Sequence, residues 1–580
     1  MSIKLKGIAA SPGIAIAPAF MRAGYETARE SRAAAREERA TESPEREWSR
    51  YQAAVESSRA ELTELRDGTK ERLGGLKAEI FDAHLSMLKD PELSSAVSLR
   101  VKEKGMSAGA ALEAAIAEYV ELLGQVEDEL FRGRIDDLRD LGRRLLSHLG
   151  APRGPSWEEL RSESIVVAES LSPSETTTLD PALVKGFATS EGSATSHSSI
   201  LARSMEIPAV VGLKGLAEAC RGGATLIVDG SAGLVIVDPE TGELEAYRKA
   251  RDEHAAAAAA ALRFASLPTR TKDGAALVLA ANIGGPDEAD RALSKGAEGV
   301  GLFRTEFLYM DRPDLPSEDE QCEVYGRVLE AFAPKPVVIR TLDIGGDKKV
   351  DCLELEPEPN PFLGIRAIRL CFEREQLFRT QLRALLRASN RGELRIMFPM
   401  IATIEELRAA KAILEDERRS LKRRGCAVAE SLEVGIMIEI PAAAVMADRL
   451  AKEADFFSVG TNDLVQYSMA ADRMNPKLAY LNQALHPAIL RVLGSVAGAA
   501  RSGGIPAGVC GEMAADPLAL PLLVGMGFDE LSMSAASIPS AREAISRVDS
   551  GEARALYGRA RELDTAEEVR RLVADSTHQA

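Results

Sequence analysis

The chain has 580 residues, 45% hydrophobic and 28% charged, with a formal net charge of −17 and a pI near 5.2. That acidic balance argues against a general nucleic-acid binder, and the length predicts about three to four domains. No apolar run reaches the roughly 18 residues that span a bilayer, the N-terminus lacks a secretory core, and six scattered cysteines without a CxxC pair fit a reducing cytoplasm.

Residues 1–22 read as a strand-rich start, with Ser11-Pro12-Gly13 as a turn. From 27 to 150 the chain becomes rich in Ala, Glu, Arg and Leu at helical spacing. Val55, Leu62 and Leu65 share one stripe, and Ile80, Leu85, Leu88 and Leu93 predict a second helix. Leu138, Leu141, Leu145 and Leu149 give a further period that Gly150 ends. The expectation is a bundle of about four helices. Between 155 and 240 the texture turns α/β, with buried strands expected at 165–168, 225–229 and 233–237. The first strands are expected to join this domain, which makes the bundle an insertion. The predicted partition is 1–26 with 151–240 as one α/β domain, 27–150 as the inserted helical domain, 241–264 as a linker helix and 265–580 as a last domain. Inside the α/β domain, Gly192-Ser193-Ala194-Thr195-Ser196-His197 sets a histidine after a polar turn. Turns and helix starts of this kind hold anions, so this imidazole is a candidate phosphoryl acceptor.

In the last 310 residues or so, short apolar runs end repeatedly in a polar or charged residue, and a helical stretch follows. The runs are 277–281, 299–303, 337–339, 394–398, 434–438, 456–459, 506–509 and 530–533. Eight such units predict a (β/α)8 barrel with its site at the C-terminal strand ends, and a doubly wound open sheet is the alternative. The chain is therefore expected to be multidomain α/β.

Glu439 and Asp463 fall at two consecutive strand ends. One or two carboxylates plus substrate oxygens is the usual protein contribution to a Mg²⁺ site. Taken singly, each reads more readily as a helix cap, and the shared position on two consecutive strands turns the reading to metal. Arg304 and Arg340 follow buried runs, and Arg366 and Arg473 lie farther along. Guanidinium forks match phosphate and carboxylate oxygens, although any one of them also reads as a surface ion pair. Cys510 follows the seventh run, either as a core thiol or as an acid at the rim.

The runs 192–197, 202–212, 299–308, 343–348, 460–464 and 510–512, in this order, resemble enzyme I of the phosphoenolpyruvate-dependent sugar phosphotransferase system over nearly the whole chain. The resemblance implies that His197 is the phosphorylated histidine and Cys510 the proton donor to enolpyruvate. It implies that Arg304, Arg340, Arg366 and Arg473 hold the substrate phosphate and carboxylate, that Asn462 touches the substrate, and that Glu439 and Asp463 ligate Mg²⁺. Thr176 matches a threonine beside the histidine, and Arg134 and Arg139 match basic residues near the phosphohistidine or the carrier. The implied partners are phosphoenolpyruvate and pyruvate, the carrier protein HPr docked on the helical insertion, and a second copy joined through the barrel. The implied role is the first step of sugar uptake. One departure stands out: Ser193 replaces a glycine of the motif, which strains the turn by about 1 kcal/mol if the position needs a positive φ. Three other readings remain at this level. A dikinase or synthase would need a nucleotide-binding domain, yet 27–150 has no glycine-rich phosphate loop. A carbon–carbon lyase would have no use for His197. A non-enzymatic regulator would have no need of the intact strand-end set.

Overall fold

The computed structural model describes residues 2–22, 43–73, 84–125, 129–150, 160–171, 182–192, 207–310, 314–346, 358–473 and 480–578, with a few single positions and short stretches between them. The chain forms two compact units, Met1–Ala255 and Ala256–Ala580.

In the first unit, β1 (Ile3–Lys6), β2 (Ile8–Ser11) and β3 (Ile14–Met21) open the chain. They share one eight-stranded sheet with β4 (Ser164–Ala168), β5 (Val184–Thr189), β6 (Ala209–Val211), β7 (Thr225–Asp229) and β8 (Leu234–Val237). The order is β1-β8-β7-β3-β4-β5-β6-β2. β3 through β6 run parallel, and β1, β8 and β7 add antiparallel to one side. β3 and β4 pair side by side although more than 140 positions separate them. Among the described residues, four long helices occupy that interval: α1 (Pro44–Leu73), α2 (Pro91–Lys104), α3 (Ala108–Gln125) and α4 (Glu129–His148). They enclose their own apolar core, in which Leu62, Val97, Val101, Leu112, Leu141 and Leu145 are fully buried.

Leu85, Leu88 and Leu93 do not share one helix, and Ile80 lies outside the described residues. The chain turns at Leu88–Lys89, and α2 starts afresh at Pro91. Proline cannot donate into a helical ladder and suits its first position, and Asp90 caps the new start by accepting the Glu92 N–H at 2.8 Å. Both pieces still face the same core, which is why the apolar spacing runs through the break.

α5 (Thr241–Ala261) carries the chain from one unit to the next. The second unit is a closed barrel of parallel strands: β9 (Val278–Ile283), β10 (Val300–Arg304), β11 (Pro336–Arg340), β12 (Glu393–Phe398), β13 (Glu433–Ile438), β14 (Phe457–Val459), β15 (Ala507–Val509) and β16 (Glu530–Met533). The open-sheet alternative is thereby excluded, since β16 pairs with β9. Outward residues of the strands build the main core against the helices, while Leu302, Val338, Met397, Met437, Phe456 and Cys510 form a separate cluster. Strand alternation places that cluster inside the barrel.

The segment leaving α5 is pinned to the barrel by Arg542 on α6 (Ile538–Arg547), a guanidinium 1% exposed. Its Nε donates to Thr269 Oγ1 at 2.9 Å, Nη1 to the Ala265 carbonyl at 2.9 Å, and Nη2 to the Gly296 carbonyl at 2.6 Å. Gly296 has φ +85° and a Cβ there would lie 1.9 Å from the Ala265 carbonyl oxygen, so only glycine admits this approach. Arg542→Leu takes this donor from the Ala265 and Gly296 carbonyls, whereas Thr269 Oγ1 keeps Glu298 at 2.6 Å. It is expected to lower the stability of the barrel by about 3 kcal/mol. Calorimetry of the full chain should show the barrel transition move and the transition of the first unit stay.

Candidate functional site

The barrel register sets the site. Arg304 pairs with Arg340 across β10 and β11, so two guanidinium groups leave the rim side by side. Ile438 pairs with Val459 and Val459 with Val509, so Glu439, Gly460 and Cys510 are the next residues on three adjacent strands. Strand ends in a parallel barrel point to one face, which is why residues far apart in sequence converge here.

Arg340 is buried, with Nη1 2.8 Å from Asp343 Oδ2 and Nη2 on Glu306 Oε1. Arg366 is fully buried in the loop after β11. Its Nη2 donates to Asp343 Oδ1 at 3.0 Å, and its Nη1 to Asp463 Oδ1 at 3.2 Å and to Tyr467 Oη at 3.1 Å. Arg473 Nη1 donates to Asp463 Oδ2 at 3.3 Å. Arg366 and Arg473 both lie over the Phe362 ring, each 5.8 Å from its centre. Arg304 is exposed and makes no ion pair among the described residues. Burial works against the charge of Arg340 and Arg366, yet Asp343 and the neighbouring carboxylates raise the pKa of both above the ordinary arginine value. The guanidinium groups are thus permanent charges, fixed before any anion arrives.

Glu439 is fully buried. Its Oε1 accepts the Met400 N–H at 2.6 Å, and its Oε2 is buried without a hydrogen-bond partner. Met400 holds φ +56°, a strained conformation for a side chain of this size, and it aims that N–H at the carboxylate. Burial, then the charges of Asp463 and Asp343, push Glu439 up to about 8, while Arg340 and Arg366 pull it back. Asp463 sits in the first turn of α7 (Thr461–Ser468). Neither carboxylate is a helix cap. Glu439 reaches across to the loop after β12, and both oxygens of Asp463 are taken by arginines.

An unpaired buried carboxylate oxygen beside a second carboxylate fits a hard divalent cation, whose charge would relieve the repulsion that raises Glu439. Among the described residues no three His, Cys, Asp or Glu side chains group as metal ligands, so substrate and water oxygens would complete the shell.

Cys510 is buried, with its S–H directed at the Val459 carbonyl at 3.6 Å. Burial pushes the thiol up to about 11, and the Ser458 hydroxyl and Arg340 act to lower it. A thiol in this state keeps its proton at neutral pH. Asn462 Oδ1 accepts the Glu512 N–H at 3.2 Å, tying the α7 start to the Cys510 loop.

Three partners escape a reading of single strand ends: Glu306, Asp343 and Tyr467. A signal for the first two was present, since Arg304-Thr305-Glu306 and Arg340-Thr341-Leu342-Asp343 each follow an arginine closely with an acid. Glu306 pairs with Arg340 on the neighbouring strand, which only the register reveals.

In the first unit, His197, Ser193 and Thr176 lie outside the described residues. Arg134 belongs to α4, but its side chain lies outside them too. Arg139, exposed on α4, comes within 3.9 Å of Glu191, two residues beyond the end of β5. A pair this exposed adds little stability, but it places a cation beside Glu191, six positions before His197 in the sequence.

Residues 258–550 match the family described as "PEP-utilising enzyme, PEP-binding domain", 6–134 its N-terminal domain and 160–233 its mobile domain. The chain is 49% identical over 565 residues to the phosphoenolpyruvate-protein phosphotransferase of Bacillus sp. (strain S), covering 97% of this chain and 96% of that one. It is 47% identical over 578 residues to the protein of that name from Priestia megaterium, covering 100% of both. It is 47% identical over 566 residues to that from Bacillus subtilis (strain 168), covering 98% of both. No helix among the described residues is long and apolar enough to cross a membrane.

Proposed function

This chain belongs to the phosphoenolpyruvate-protein phosphotransferase family, and on that premise we propose how its own residues divide the reaction. The observation that carries the reading is the continuous network Glu306–Arg340–Asp343–Arg366–Asp463–Arg473 beside Glu439. Four arginines stand against the side chains of Glu306, Asp343, Asp463 and Glu439, the last with its pKa raised to about 8. A multiply charged anion arriving together with a dication would add little net charge to this rim.

Phosphoenolpyruvate binds with its phosphate and carboxylate on Arg304, Arg340, Arg366 and Arg473, and Asn462 orients it. Glu439 and Asp463 hold Mg²⁺, which supplies positive charge to the phosphate oxygens when bound. His197, neutral, attacks phosphorus: a nitrogen–phosphorus bond forms as the bond to the enol oxygen breaks. Cys510 gives its proton to the methylene carbon, and pyruvate leaves. Phospho-His197 then passes its phosphoryl group to a histidine of HPr docked on the helical domain, with Thr176, Arg134 and Arg139 serving the histidine or the carrier. The domains in this reading are 1–26 with 151–240, the insertion 27–150, the linker 241–264 and the barrel 265–580. The protein works in the cytoplasm, as a homodimer through its barrel, at the head of a sugar-uptake relay.

Incubation with labelled phosphoenolpyruvate and Mg²⁺, then HPr, tests this. Acid-labile label should appear on the protein and chase to HPr. A requirement for a nucleotide would turn the reading to a dikinase, and no label would turn it to a regulator. Ser193→Gly should label at least as fast as the parent if the serine only strains the loop. A slowing of about tenfold, the worth of one hydrogen bond to an anion, would mean its hydroxyl holds the phosphoryl group.

A further inference from the structure

When Cys510 gives its proton to carbon, a thiolate is left inside the barrel among Leu302, Val338, Met397, Met437 and Phe456. An anion in apolar surroundings is costly unless something donates to it. The group facing the thiol is the Val459 carbonyl, which accepts from S–H but has nothing to offer a thiolate.

Ser458 precedes that carbonyl on β14. Phe457 and Val459 on either side belong to the outer core, so alternation turns Ser458 into the barrel. Its register partner on β15 is Gly508, which has no side chain, and Cys510 lies two positions farther on the same face. Ser458 is 4% exposed, and its Oγ is buried with no aligned hydrogen-bond partner. The hydroxyl lies close enough to Cys510 to favour its ionised form, although it has no aligned acceptor in the resting protein. It gains a charged acceptor when the thiol becomes a thiolate.

We propose that Ser458 is a positioning residue of the proton step, donating a hydrogen bond to Cys510 Sγ as the thiolate forms. This rests on the reading above that Cys510 protonates enolpyruvate. In that step the enolate oxygen re-forms the carbonyl, and the carbon–carbon π pair takes the proton to make the methyl C–H bond. The S–H pair stays on sulfur. A water molecule returns a proton to the thiolate after pyruvate leaves.

The reverse of the step is measurable as hydrogen–deuterium exchange of the pyruvate methyl group, followed by NMR in D2O with Mg²⁺ and the full chain. Ser458→Ala should lower kcat for exchange about ten- to a hundredfold, the worth of a hydrogen bond to a charged acceptor. Its KM for pyruvate should stay within about twofold, because the lost contact is made to sulfur and not to substrate. Ser458→Thr keeps the hydroxyl and should return exchange to within about threefold of the parent. Ser458→Ala exchanging at the parent rate, KM rising with the loss of kcat, or Ser458→Thr as slow as alanine while folded would each overturn the proposal. Cys510→Ala separates the premise: if it exchanges like the parent, the reading of Cys510 fails, whatever Ser458 does.

Discussion

His197→Ala is expected to abolish acid-labile labelling by phosphoenolpyruvate and to lower transfer to HPr by about 10⁴-fold or more, as loss of a nucleophile does elsewhere. Three of the other histidines have described side chains, and none of the three is free to substitute. His84 is buried in the helical core near Asp140. His148 contacts Glu61 at 2.8 Å, and His486 caps a helix by accepting the Ala488 N–H. Each of these three rings is committed to a local partner. The substrate arginines belong to the other compact unit, so the variant should still bind phosphoenolpyruvate, read by calorimetric titration with Mg²⁺. Binding without labelling separates the nucleophile from the cradle. Label retained on the variant at the parent rate would place the acceptor elsewhere.

The barrel was legible because each strand changes character at one point. Its outward residues pack on helices and its inward ones on each other, so the apolar run stops only where the chain reaches the rim. Boundaries moved by one or two residues, as at Pro336 and Glu433, because the ladder extends past the apolar stretch. Arg366 was legible as one of four candidate arginines, but its placement was not. It follows no strand directly and reaches the site from a loop, held by Asp343, Asp463 and Tyr467. Pairings between strands were not legible at all. Sequence places Glu306 beside Arg304, whereas the register gives it to Arg340. The helix break at Asp90–Pro91 was missed because the apolar spacing runs straight through it. A proline at a helix start and a proline interrupting a helix look alike until the chain's direction is known.

Glu439→Gln is expected to separate stability from activity. Amide replaces carboxylate at nearly constant shape, so the Met400 N–H keeps an acceptor. Arg340 keeps Asp343 and Glu306, and Arg366 keeps Asp343 and Asp463. Loss of one hard anionic ligand from a site that would offer a dication only two should lower labelling by roughly 10³-fold. Metal-free stability should behave oppositely. The folded pKa of Glu439 is raised from 4.5 to about 8. Its proton therefore stabilises the fold fully below pH 4.5, and that contribution is lost as pH rises through 8. Glutamine carries no such loss, so the metal-free variant should gain on the parent steadily between pH 5 and pH 8. Mg²⁺ reverses the order, because it stabilises the carboxylate and expels its proton. It should raise the barrel's Tm in the parent more at pH 8 than at pH 6, and barely move the variant. An equal Mg²⁺ shift in both proteins would remove Glu439 from the metal site. An equal pH profile without metal would mean the arginines already hold its carboxylate ionised, and the strain in the rim would then lie in some other group than Glu439.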